Sequence, residues 1–274
     1  MMRSSVAAAV ACLFAGRAVL AQEATRPPIQ SVEIKPNRAI YVNGQSFLPI
    51  MAWLQNPSNF EIMKSCGMNT ATGYAGRSGG QRDVKGYLDL AQKAGLYGVM
   101  PFDESLKGHP ALLGYIHGDE PDLPSKTSDT MVPRAMPSRT LERYQAIKAS
   151  DSSRPVFMTL TGNFHPFFKK WSDEQRNNLY PAYIKATDIV GYDIYPIYGW
   201  NKPEWIHLVY EATALLTDLS KPRPVYAWIE TSKGSRWTGE LERQKEVTGE
   251  HIRAEVWMAI CGGATVIGYF THIW

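Results

Sequence analysis

Residues 112–122 read LLGYIHGDEPD, an apolar run that stops abruptly at two adjacent carboxylates and a proline. Leu112, Leu113, Tyr115 and Ile116 have the composition of a buried strand, and Pro121 lacks the N–H that would carry a ladder past Glu120. Glu120 is therefore expected at the carboxyl end of a strand. A second stretch answers it: residues 224–231, PVYAWIET, form another apolar run closing on a lone carboxylate, Glu230. Two strand-end glutamates far apart in the chain predict one site assembled from two strands.

Working outward, the same alternation continues on both sides. Apolar runs at 47–53, 68–74, 96–102, 112–120, 154–164, 189–197, 225–231 and 264–274 alternate with helical patterns at 83–95, 138–150, 203–220 and 249–263. Strands alternating with helices give a parallel sheet covered on both faces, and eight of them predict an α/β fold of the (β/α)8 TIM type. An open doubly wound sheet is the competitor. Against it, polar and aromatic residues gather at the ends of several strands, and no Gly-x-Gly-x-x-Gly follows the first strand. The third βα unit has room only for a short crossover between Phe102 and Ala111, and no helix follows strand eight. An apolar flank left there would invite self-association.

The ends of the chain read differently from its middle. Residues 1–21 have an early Arg3, an apolar run from Val6 to Ala15 and small residues before Ala21, the pattern of a signal peptide and thus of a secreted or periplasmic protein. Residues 22–46 contain short alternating runs with turns at Pro36-Asn37 and Asn43-Gly44, so a small β-hairpin is expected to cap one end of a catalytic domain spanning 47–274. The Pro- and Ser-rich stretch 122–137 is expected to be irregular, and with 73–81 and 232–239 to shape a cleft on the carboxyl side of the barrel.

Charge and cysteine content narrow the function classes. The 274 residues carry 29 basic and 26 acidic side chains, a formal charge of +3. Removal of residues 1–21 takes two arginines and no acid, leaving +1. No basic cluster exceeds Lys169-Lys170, which argues against nucleic acid, and no later stretch is long and apolar enough for a membrane span. Cys66 and Cys261 could pair, but two separately buried thiols are the expectation. No cofactor motif is present.

With these residues in view, the chain resembles clan A of the retaining glycoside hydrolases. The likeness rests on a fourth strand ending in Asp119-Glu120-Pro121, a seventh ending in Glu230 and an aromatic eighth ending in Trp274. The resemblance implies Glu120 as acid/base and Glu230 as nucleophile, with a carbohydrate substrate. Asp119 stands where the clan usually has Asn. Retaining cleavage needs the two carboxyl groups about 5–5.5 Å apart, which strands four and seven can provide across a barrel mouth.

Supporting residues follow from strand parity. Asp193 and Tyr195 alternate on one side of GYDIYPI, where they could orient Glu230 and bind sugar hydroxyls, or Asp193 could be a buried carboxylate held by backbone amides. His117 shares parity with Asp119 and is expected in the barrel interior; Asn163 is a hydroxyl ligand or a turn residue. Trp53, Trp200, Trp228, Trp237 and Trp274 could stack on sugar C–H faces, Trp274 first and Trp200 second. Two other functions fit the same fold. A metal-dependent hydrolase would use His117, Asp119, Glu120, His165 and Asp193, although no His-x-His or His-Glu-x-x-His pair favours it. A non-catalytic carbohydrate-binding barrel is the other.

Overall fold

The computed structural model describes residues 26–75, 82–127 and 130–271. The leader-like residues 1–21, part of the 73–81 loop and Trp274 lie outside them. Three short strands, β1 (Val32–Ile34), β2 (Ile40–Val42) and β3 (Gln45–Phe47), form an antiparallel sheet in that order. The β2–β3 connection is the two-residue turn Asn43-Gly44, with φ of 52° and 76°, the geometry this dipeptide favours. The sheet sits at the amino end of the barrel strands. Tyr97 donates to the Pro27 carbonyl at 2.8 Å, Arg154 to Ile29 at 3.2 Å and Arg38 to Gly263 at 3.2 Å.

The rest alternates strand and helix: β4 (Ile50–Trp53), α1 (Phe60–Ser65), β5 (Thr70–Thr72), α2 (Val84–Lys93), β6 (Tyr97–Pro101) and β7 (Leu112–Ile116). There follow β8 (Pro124–Thr127), β9 (Thr130–Pro133), α3 (Pro137–Ser150), β10 (Val156–Thr161), α4 (Asp173–Ile184) and β11 (Ile189–Asp193). The described part ends with α5 (Leu208–Ser220), β12 (Val225–Glu230), α6 (Gly249–Gly262) and β13 (Val266–Phe270). Strands β4–β7 and β10–β13 pair in parallel and close into an eight-stranded barrel, β13 against β4 and β7 against β10. The third crossover is indeed short, a single 3-10 turn at Glu104–Leu106.

Large aromatic side chains set opposite glycines fill the barrel interior. A Cβ on Gly191 would lie 2.1 Å from the Tyr226 ring, and one on Gly268 2.2 Å from Trp228. Phe157, Tyr226, Trp228 and Trp53 form a column of ring contacts with centroids 5.4–6.0 Å apart. Thr159 ties it together, meeting the Tyr226 hydroxyl at 2.8 Å and accepting from the Trp228 indole at 3.1 Å. Outward-facing Met158, Leu160, Val190, Tyr192, Ala227 and Ile229 pack instead with side chains of α4, α5 and α6. Two layers of apolar burial on the same strands explain why they read as unbroken apolar runs.

Several expectations change. Residues 124–127 and 130–133 are not irregular; β8 and β9 pair antiparallel. Helix α4 went unforeseen because its sequence has almost no apolar periodicity, although Ser172 and Gln175 form a complete capping box. Cys66 and Cys261 are exposed free thiols, not buried ones.

Candidate active site

At the carboxyl ends of the barrel strands lies a cleft of about 1130 Å³. Asp119 and Glu120 enter it from the segment after β7, Asp193 from the end of β11. The backbone that delivers Glu120 is unusual: its φ is +46°, in the left-handed region that a branched or long side chain occupies only when neighbours hold it there. Those neighbours are visible. Arg134 donates to the Asp119 carbonyl at 2.7 Å and reaches a Glu120 carboxylate oxygen at 3.5 Å. Leu123 N–H closes a turn on the Glu120 carbonyl at 3.1 Å, and Ala135 N–H bonds the Pro121 carbonyl at 2.8 Å.

Below this turn Asp122 is fully buried. It accepts from the Thr161 amide at 2.8 Å, the Thr161 hydroxyl at 2.5 Å and the Tyr180 hydroxyl at 2.9 Å. Burial nevertheless raises its carboxyl to about 6, because three donors do not fully replace water. Asp122 pins the β7 exit to the end of β10 and so fixes where Asp119 and Glu120 stand.

Three carboxyl groups then share the cleft floor. Asp193 hydrogen-bonds Glu120, and burial together with the Glu120 and Asp119 charges drives its pKa well up. Its Oδ1 is buried without a protein partner. Asp119 is likewise raised, by desolvation first and by Glu120 second, with Arg134 opposing. Tyr195 stands over the cluster, its hydroxyl in the field of Asp193, Asp119, Glu120 and Glu230, and its ring packs on Phe270 at 4.8 Å.

Glu230 is placed differently from the sequence expectation. It ends β12 as foreseen but is fully buried and does not line the cleft. Oε1 accepts from the Ile197 amide at 2.8 Å and Oε2 from the Tyr198 amide at 2.6 Å, while Glu255 of α6 shares a further hydrogen bond. Burial raises both carboxyls of this pair. The turn after β11 thus supplies the donors that hold Glu230 beneath the cleft surface.

His117 also departs from expectation. Gly114 faces the interior, where a Cβ would meet Phe157, so odd-numbered side chains of β7 turn outward. His117 accordingly lies buried against the helical layer, donating through Nε2 to the Ala186 carbonyl at 2.8 Å, and burial lowers it to about 4, keeping it neutral. Parity fails for Asp119 because Gly118 bends the chain after the strand. His165 points toward Glu211, 3.8 Å away. His117 and His165 thus stand apart from the three cleft carboxyls, and no group of three or more His, Cys, Asp or Glu side chains placed to hold a metal ion occurs among the described residues.

The aromatic expectations divide. Trp53, Trp200 and Trp237 line the cleft, whereas Trp228 belongs to the interior column. Trp200 stacks near Phe168, centroids 5.0 Å apart and planes at 33°. Asn163 lines the wall, its amide bound to Thr161 at 2.8 Å. Neither Arg134 nor Asp122 is singled out by the sequence, although Asp122 belongs to the same DEPD run; both fall within the stretch 122–137 expected to be irregular.

No family model matches the chain, and no curated protein sequence does. Solved structures do. A Bacteroides thetaiotaomicron protein assigned as an α-L-fucosidase superposes with a TM-score of 0.55 at 13% identity, over 81% of this chain and 87% of that one. A β-glucuronidase from Ruminococcus gnavus gives 0.55 at 16% identity, and a β-galacturonidase from Eisenbergiella tayi 0.53 at 13%. This chain spans 45% and 46% of those two proteins, from 88% of its own length. At such identities the likeness is one of fold: the barrel is of the kind that glycoside hydrolases use.

Proposed function

We propose that this chain is a glycoside hydrolase whose acid/base is Glu120, with Asp193 as the store of its proton and Asp119 as the second catalytic carboxylate. The observation that carries the reading is the hydrogen-bonded Glu120–Asp193 pair on the floor of an aromatic-walled cleft. In this reading the raised Asp193 carboxyl beside Glu120 is the proton store, and Glu120 protonates the glycosidic oxygen and later takes a proton from water. Asp119 is the remaining carboxyl on the cleft surface, so it is the group available to the anomeric carbon. Indole faces of Trp53, Trp200 and Trp237 suit sugar rings, and the glycosidase names of the three structural neighbours favour a saccharide. Export on the 1–21 leader, with 47–274 as the catalytic unit, belongs to the same proposal.

A retaining double displacement with Glu230 as nucleophile is the second reading. It is favoured by the position of Glu230 at the end of the seventh barrel strand and by Tyr195, which feels Glu230 and the cleft carboxyls together. It requires the Ile197 and Tyr198 amides to release the side chain. Product stereochemistry in azide separates the two. With an activated aryl glycoside, the alanine variant of the nucleophile yields an inverted glycosyl azide, whereas Glu120→Ala yields a retained one. Inverted product from Asp119→Ala is expected; inverted product from Glu230→Ala alone transfers the role. Full activity of Glu120→Ala, or no turnover of any aryl glycoside by the unaltered chain, would sink the glycosidase assignment.

A further inference from the structure

We propose that the saccharide bound in this cleft is anionic, carrying carboxylate or sulfate groups on rings beside the scissile bond. The inference deepens the glycosidase reading and rests on it. Its basis is the sorting of charge by depth. Among the described residues, every acidic residue of the cleft lining, Asp119, Glu120 and Asp193, belongs to the floor cluster, while every charged side chain of the walls and rim is basic: Arg134, Lys169, Lys170 and Arg236. Overall composition does not force this, since the chain has 29 basic and 26 acidic residues.

The cations come from three different connections: Arg134 follows β9, Lys169 and Lys170 follow β10, and Arg236 follows β12. Like charges converging on one concavity repel one another, and a bound anion relieves that repulsion while the low-dielectric walls focus the field. Arg134 is already committed to Glu120 and the Asp119 carbonyl. Lys169 and Lys170 are exposed and form no salt bridge among the described residues, so they are the rim charges free to meet a ligand. They directly follow Phe168, whose ring lies beside Trp200, so a sugar ring against that aromatic wall has its outer substituents near two ammonium groups. An ammonium is a point charge that accepts carboxylate or sulfate alike; the Arg236 guanidinium, over the Trp237 ring at 5.4 Å, adds a planar fork suited to either. At about 1130 Å³ the cleft exceeds the space of roughly 300–1,000 Å³ that a drug-sized ligand fills, so it holds several rings. A charged oligosaccharide could then engage more than one cation at once.

The test uses the full chain bearing Glu120→Gln, so that binding is measured without cleavage. Calorimetric titration with three oligosaccharides of equal length, one neutral, one containing uronic acid and one sulfated, reads the preference directly. At an ionic strength of about 0.01 M an anionic ligand should bind at least about tenfold tighter than the neutral one, and the gap should close near 1 M, where the Debye length has fallen from about 30 Å to about 3 Å. The uronate and sulfate arms identify which anion is preferred. Adding Lys169→Ala and Lys170→Ala should collapse the gap while leaving the thermal midpoint unchanged. Equal affinity for neutral and charged ligands, or a gap that survives the double substitution, overturns the proposal. Cleavage of neutral glycosides without anionic preference removes this inference and leaves the glycosidase reading intact; anionic preference without cleavage of any glycoside removes the latter and leaves the ligand class.

Discussion

Buried beside Glu120 and Asp119, Asp193 is costly as an ion, and burial with those two charges pushes its carboxyl well up. Asp193→Asn preserves the shape but cannot store the proton. Turnover of a substrate with a poor leaving group should then fall about 10²–10⁴-fold, the usual worth of general acid catalysis, whereas a nitrophenyl glycoside, which departs almost unaided, should lose far less. Equal losses for both leaving groups would show that Asp193 acts only structurally. At this scale the sequence was partly legible. Alternation along GYDIYPI placed Asp193 and Tyr195 together toward the site, because β11 is regular up to Asp193. Alternation misplaced His117, because the interior partner of Gly114 is a phenylalanine from another strand, a fact with no local signature.

The β8–β9 hairpin shows the same limit for elements. Its sequence is Pro- and Ser-rich and suggests a loop; it becomes regular because its two strands satisfy one another and Arg134, just beyond, is held over Glu120. What fastens this excursion to the barrel is Asp122, through Thr161 and Tyr180. Asp122→Ala leaves a buried amide and a buried phenol without an acceptor, each worth about 1–3 kcal/mol. A loss of roughly 2–5 kcal/mol in urea unfolding is expected, with a drop in activity beyond what stability explains because the Glu120 turn loses its anchor. A change under about 0.5 kcal/mol would mean that neighbouring water replaces the carboxylate in full. The barrel strands, by contrast, were legible as elements, since burial on both faces writes each as a short apolar run.

For the molecule as a whole, eight such runs were enough to predict the closed barrel, but not which strand-end carboxylates open into its mouth. That choice depends on donors from other segments, as the Ile197 and Tyr198 amides show for Glu230. The consequence is a fold that buries acid. Asp122, Asp193, Glu230 and Glu255 all bind their protons more tightly folded than unfolded. Stability changes with pH as the protons bound in the unfolded state minus those bound in the folded state. For these groups the difference is negative, so their contribution is complete below about pH 4, the unfolded carboxylate value, and is lost as pH rises through the raised folded values. His117, lowered to about 4, and surface carboxylates such as Asp89, lowered by His109 and Lys85, act in the opposite sense. The four buried acids outweigh them, so the urea midpoint should be higher near pH 5 than near pH 8. Glu255 offers the sharpest check, because both its oxygens lack any partner other than Glu230. Glu255→Gln removes a group that must be protonated to stay folded. Each unit of that shift is worth about 1.4 kcal/mol, so the variant should gain up to a few kcal/mol near pH 8, gain little near pH 5, and flatten the slope between them. A variant less stable than the parent at both values would show that the Glu255 carboxyl is held by its bond to Glu230 and not merely tolerated.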